Sequence, residues 1–239
     1  MEKLKSITVL GGSAASNFNG KQEKSWPYIL KESLPRDITF KIETRGGLTF
    51  VRAITELADF PDEDLLIFHF GTSIGWPVSV IRTGHKLGID FASEFGFHQP
   101  AYSSSTIGKR IRRAAKVRFR NAVKYALFIA GLYRSRISRR EIDDQIRAVV
   151  HLAKQQSKSI MWIQHQSLQN RRIFLERRSY SRYYKEILRS LEKYRAPEFL
   201  IVTLPDEFLT QENYLLDCVH LSEKGHQELF KLVRSAFKR

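Results

Sequence analysis

The chain of 239 residues holds one cysteine, Cys218. A lone cysteine excludes an internal disulfide, and no cysteine or histidine spacing suggests a zinc site. No apolar stretch approaches the ~20 residues that a membrane-spanning helix needs. The opening "MEKLKSITVL" has an acidic residue and only a short apolar run, without a signal-peptide core or cleavage pattern. These absences lead to the expectation of a protein of a reducing compartment, the cytoplasm. Internal repeats and low-complexity tails are also missing. One absence is local: between Lys109 and Arg140 there is no Asp or Glu, against twelve Lys or Arg. That segment accounts for most of the formal charge of +15 and leaves the remainder nearly balanced. An electrostatic partner should therefore be sought there.

What is present is an alternation of two periodicities. Five short apolar runs read as strands: "SITVLGG" (6–12), "ITFKIET" (38–44), "DLLIFHFG" (64–71), "SIMWIQHQ" (159–166) and "EFLIVTLP" (198–205). The first, third and fifth are nearly continuous in apolar residues, as expected of parallel strands covered on both faces. Helical patterns cover 22–34, 49–58, 141–157, 171–194 and 222–238, and Ser222 is suited to cap the last of them. The alternation predicts an α/β fold, a flavodoxin-like doubly wound parallel sheet of five strands in an α/β/α sandwich. The length suits a single domain over 1–239. The stretch 75–108 reads as a long loop rich in glycine, proline and serine, and 109–137 as a basic amphipathic helix or helix pair. Together 75–140 forms an insertion after strand three, suited to a lid.

In open parallel sheets ligands bind beyond the C-terminal strand ends. This sequence places Ser13 after the first strand and Gly46, Gly47 and Thr49 after the second. Gly71, Thr72 and Ser73 follow the third, Gln164, His165 and Gln166 end the fourth, and the loop after the fifth leads to "DCVHLSEKGH" with Asp217 and His220. A serine, a histidine and an aspartate thus share one rim. That is the composition of a nucleophile, its base and an acid that orients the base. Asp-x-x-His spacing can put both side chains on the same side of one turn. Read singly, Ser13 is an ordinary turn residue, and Asp217 with His220 a capping and surface pair. His165 suits either a substrate contact or a satisfied core histidine. His226 is solvated or packed within the last helix, and Cys218 is a small buried hydrophobe.

Taken in order, the blocks "GGS" (11–13), "RGG" (45–47), "GTSI" (71–74) and "DCVH" (217–220) resemble those of the SGNH (GDSL-type) hydrolases. The resemblance runs from about residue 6 to the end, apart from 75–140. It implies a serine esterase or O-acyltransferase that works through an acyl-enzyme and needs no metal or organic cofactor. Ser13 would be the nucleophile, His220 the general base and then acid, and Asp217 the residue that orients His220. The backbone N–H groups of Ser13, at a helix start, and of Gly47, together with Ser73, would form the oxyanion hole. Gly12, Thr72, His165 and Gln164 would touch substrate. The chain departs from the family pattern where Gly12 replaces the aspartate of the first block, and where Ser73 and Ile74 stand for the asparagine and acid of the third. Loss of one side-chain oxyanion donor costs about 10²–10³ in rate, so a specialised esterase or a transferase is expected, acting on an O-acylated, especially O-acetylated, carbohydrate or glycan precursor. A second class is a catalytically weak or inactive protein of this fold that binds a glycan or an anionic surface, including a membrane surface, through 109–140. Charge alone also permits nucleic-acid binding, but no nucleic-acid-binding motif supports it.

Overall fold

In a computed structural model of the chain, the residues described are 4–16, 22–45, 48–58, 60, 62–71, 77–79, 122, 125–126, 129–130, 133–135, 139–166, 168, 174–215 and 219–237. They divide into two compact units, one formed by 1–75 with 137–239 and the other by 76–136.

The first unit is built on a parallel sheet of β1 (Ser6–Gly11), β2 (Thr39–Thr44), β3 (Glu63–Phe70), β6 (Ser157–Gln164) and β7 (Phe199–Thr203). Their order across the sheet is β2-β1-β3-β6-β7, and every neighbouring pair runs parallel. This is the flavodoxin-like order expected from the sequence, with the change of winding direction between β1 and β3. The helices are α1 (Trp26–Ser33), α2 (Phe50–Leu57), α3 (Arg139–Gln156), α4 (Phe174–Glu192) and α5 (Glu223–Ala236).

Side-chain alternation along the strands divides the core into two layers. Leu66 and Phe68 of β3 and Ile160 and Trp162 of β6 face one side, where they meet Phe50 of α2, Ile146 of α3 and Ile187 of α4. Leu65 and Ile67 of β3 and Met161 and Ile163 of β6 face the other, against Trp26 and Leu30 of α1 and Leu229 and Val233 of α5. Each such fully buried Leu, Ile or Phe contributes about 1.5–3 kcal/mol. Both faces of the sheet are therefore covered, which is why β1 and β3 are apolar in almost unbroken runs. β7 is the exception among the three strands expected to be so. As an edge strand it leaves Thr203 exposed, and Leu200 and Ile201 are only partly covered.

The second unit contributes β4 (Pro77–Ser79) and β5 (Tyr133–Ser135), which pair antiparallel. A bond from Ala130 N to Ala126 O, 2.9 Å, marks a helical turn. The helix expected across 109–137 therefore does not extend through 133–135. The apolar spacing was read across Gly131, a residue that interrupts helices, and backbone pairing with 77–79 takes over after it. Pro77 is tolerated because it opens its strand. The remainder of the 75–108 loop and of the basic 109–137 helix lies outside the described residues. Among the described residues no helix is long and apolar enough to cross a membrane.

Candidate active site

The exit of β1 is a tight turn. Ala15 N donates to Gly12 O at 2.9 Å, and the Ser16 hydroxyl donates to Ser13 O at 3.0 Å. Two main-chain bonds continue the sheet beyond the strand end: Gly12 N to His69 O and Arg45 N to Gly11 O, each 2.9 Å. The turn folds back so closely that a Cβ on Gly11 would lie 2.4 Å from Ala15 Cβ. Glycine is required there for close approach. A Cβ on Gly12 would stand 3.3 Å from the main-chain nitrogen of Gly71. Gly12 thus sits where the β1 and β3 exits touch. Ser13 opens a turn over 13–15, whereas α1 begins only at Trp26. The expectation that the Ser13 N–H lies at a helix start is corrected: its backbone belongs to a turn whose own bonds bend the chain sharply.

The other half of the site comes from the opposite end of the chain. After β7 the polypeptide passes through short 3-10 turns at Asp206–Phe208 and Gln211–Asn213. It then closes on itself. Tyr214 bridges Leu221 antiparallel, Leu215 N donates to His220 O at 2.8 Å, and Ser222 N donates to Asn213 O at 3.0 Å. Ser222 caps α5, its hydroxyl accepting from Gly225 N at 3.1 Å, as the sequence predicts. The Tyr214 hydroxyl donates to Gln166 O at 2.5 Å, tying this closure to the exit of β6. Burial raises the Tyr214 phenol far above its usual range, so it remains a donor.

These two ends meet. His220 Nε2 lies 3.0 Å from Ser13 Oγ, with the serine partly exposed and the imidazole buried. That separation lets a hydroxyl pass its proton directly to a ring nitrogen. Gly12, buried, closes the serine turn with its carbonyl. Asp217, Gly47, Thr72, Ser73 and Cys218 fall outside the described residues.

His165 and Gln164 are placed differently from the expected substrate contacts. His165 has no exposed surface, and its ring nitrogens lie 3.1 Å from His69 Nδ1's partner nitrogen, Nε2, and 2.9 Å from Val219 O. Gln164 is likewise buried and accepts from Trp162 Nε1 at 3.2 Å. Gln164 ends β6 and His165 follows it, both with buried side chains. His226 is packed, not solvated. It is fully buried, and its Nδ1 accepts from Trp26 N at 3.4 Å.

Sequence reasoning overlooked His69 and Trp26. Trp26 Nε1 donates to His69 Nδ1 at 3.0 Å, deep under the site. Burial above all, then the neighbouring His165 and His226, holds His69 well below the ordinary imidazole range. His226 is pushed down to about 4, again chiefly by burial. The missed signal was period two: His69 follows Leu65 and Ile67, and His165 follows Met161 and Ile163, in phase with one apolar layer.

No protein-family model and no curated protein matches the chain. Solved structures do match its fold over nearly the full length. A member of the lipolytic G-D-S-L family from Veillonella parvula is 11% identical with a TM-score of 0.58, covering 98% of each chain. A lipase/acylhydrolase from Enterococcus faecalis is 12% identical with a TM-score of 0.60, over 98% of this chain and 96% of that one. An acetylxylan esterase from Geobacillus stearothermophilus is 12% identical with a TM-score of 0.53, over 96% and 92%. The chain has the fold of the SGNH (GDSL-type) hydrolases, at a sequence distance that makes it divergent from each of these examples.

Proposed function

We propose that this protein is a serine-dependent acyl-ester hydrolase in which Ser13 is the nucleophile, His220 the general base and acid, and Asp217 the orienting acid. The observation that carries this reading is the 3.0 Å separation of His220 Nε2 from Ser13 Oγ. With Nε2 as acceptor, the neutral His220 ring holds its proton on Nδ1. Ser13 Oγ attacks the ester carbonyl carbon while its proton passes to His220 Nε2, and the carbonyl oxygen becomes an oxyanion. The N–H groups of Ser13 and Gly47 and the hydroxyl of Ser73 are its proposed donors. Collapse breaks the bond to the alcohol oxygen, which leaves with the proton from His220. Water then attacks the acyl-enzyme, giving its proton to His220 and releasing the acid, and the proton returns to Ser13. A sugar hydroxyl in place of water would make the same sequence an acyl transfer.

An O-acetylated carbohydrate is the proposed substrate class. It is favoured by the likeness in fold to an acetylxylan esterase. The cations of 109–140 favour an acceptor or carbohydrate that carries negative charge. The test is labelling with a fluorophosphonate probe alongside hydrolysis of p-nitrophenyl acetate. The wild type is expected to label and turn over, and Ser13→Ala to do neither while melting at the same temperature. Labelling that persists in Ser13→Ala would refute the assignment.

A further inference from the structure

Beneath the Ser13–His220 pair runs a line of buried polar groups that the acyl chemistry does not use. It begins at the Trp26 indole, passes through His69 and His165, and ends on the carbonyl of Val219, with links of 3.0, 3.1 and 2.9 Å. Trp26, His69 and His165 are entirely enclosed, and Val219 nearly so. Elementary donor counting fixes every proton in this line. An indole N–H can only donate and a carbonyl can only accept. His69 Nδ1 must therefore accept, so its proton is on Nε2 and points to His165. His165 Nδ1 must accept that proton's bond, so its own proton is on Nε2 and points to Val219 O. The two ends of the line demand the same tautomers, and both rings are neutral. A cationic His69 would set a second N–H against the indole donor.

We propose that His69 and His165 are positioning residues for His220. The line ends on the carbonyl of the peptide unit whose nitrogen belongs to His220, so the orientation of that unit is set from within the core. It is held from the other side by Leu215 N on His220 O. The base therefore hangs from a peptide pair gripped at two successive carbonyls, one by a buried imidazole and one by main chain. Its ring nitrogen meets the serine hydroxyl without itself entering the relay. This role rests on the assignment of Ser13 and His220 above.

Two measurements test it. Long-range ¹H–¹⁵N correlation spectra of the wild type, assigned by single histidine-to-glutamine replacements, should show His69 and His165 both protonated on Nε2 at pH 7.5. A proton on Nδ1 of either ring overturns the proposal. Kinetics on p-nitrophenyl acetate then separate positioning from scaffolding. His165→Leu should lower kcat by about 10²-fold, the scale of a misplaced reacting group, with KM nearly unchanged. His165→Gln, whose amide can accept from His69 and donate to Val219 O, should recover most of that loss. Equal kcat in wild type and His165→Leu, or no recovery in His165→Gln, counts against the role. If His165→Leu does not fold, His69→Leu replaces it: with the donor to His165 Nδ1 gone, the hold on Val219 O loosens and kcat should fall at nearly unchanged KM, and unchanged kcat refutes the relay. If the wild type neither turns over nor labels, the hydrolase assignment fails. The positioning claim is then decided by the His220 ring resonances, which should move in His165→Leu and must stay fixed if the relay does not hold that residue.

Discussion

A methyl group at position 11 would collide with the serine turn. The Cβ of Gly11→Ala would stand 2.4 Å from Ala15 Cβ, so the turn that presents Ser13 has to shift. Overpacking of this kind costs about 1–3 kcal/mol. The Gly11→Ala protein is expected to unfold at lower urea and to label weakly with a fluorophosphonate. Undiminished labelling would mean that the turn relaxes without moving the hydroxyl. At this scale the sequence was informative in an uneven way. Ser13 and His220 could be named because each follows a strand end within a recognisable block. His69 shows by its phase with Leu65 and Ile67 only that it points inward, and nothing near it in the chain reports that an indole from α1 and the imidazole that follows β6 will reach it. The burial of His165 and Gln164 was hidden for a related reason. A residue at a strand end can point to the rim or to the core, and the phase decides which: His165 follows Met161 and Ile163 into one layer, Gln164 follows Ile160 and Trp162 into the other.

Among the elements, α5 has the most consequence for the site, because its first turn and His220 share one anchor. The Ser222 hydroxyl accepts from Gly225 N and donates to Glu212 O, while Ser222 N donates to Asn213 O. A Cβ on Gly225 would lie 2.0 Å from that same Asn213 oxygen. Replacing the cap, Ser222→Ala, should cost about 1 kcal/mol in urea unfolding. Gly225→Ala should be costlier and should also lower kcat, since backbone cannot yield as a flexible side chain does. A Gly225→Ala protein with wild-type kcat would show that α5 can lift without disturbing the imidazole. Element existence was readable throughout the first unit. All five sheet strands and five helices occur where apolar period predicts them, with ends differing by up to four residues. β5 was not readable, since three residues pairing with a distant partner leave no periodic trace and follow a basic stretch with helical spacing.

For the molecule as a whole, the buried imidazoles set its response to acid. His69 and His226 are both held below the ordinary value of 6.5 by burial, His226 at about 4. The unfolded chain therefore takes up protons that the folded one refuses. Stability is complete above about pH 6.5 and declines as pH falls towards 4. His226 alone contributes a loss on the order of 3 kcal/mol over that interval. Urea midpoints at pH 7.5, 5.5 and 4.5 should fall in that order, and His226→Phe should flatten the decline. A profile level across this range would contradict the burial of these rings as neutral groups. The doubly wound sheet was legible at this scale because alternating periods leave few topologies open. The acid response was not, because it depends on which histidines the two layers enclose.

The hydroxyl and the imidazole that meet at 3.0 Å are separated by 207 positions in the chain, and four of the five sheet strands lie between them. Contacts of such long range form late, after the intervening strands have paired. An incomplete or partly unravelled molecule thus carries an unreactive serine. Mixing two separately inert fragments cut between β3 and α3 would restore turnover only if they rejoined into one sheet.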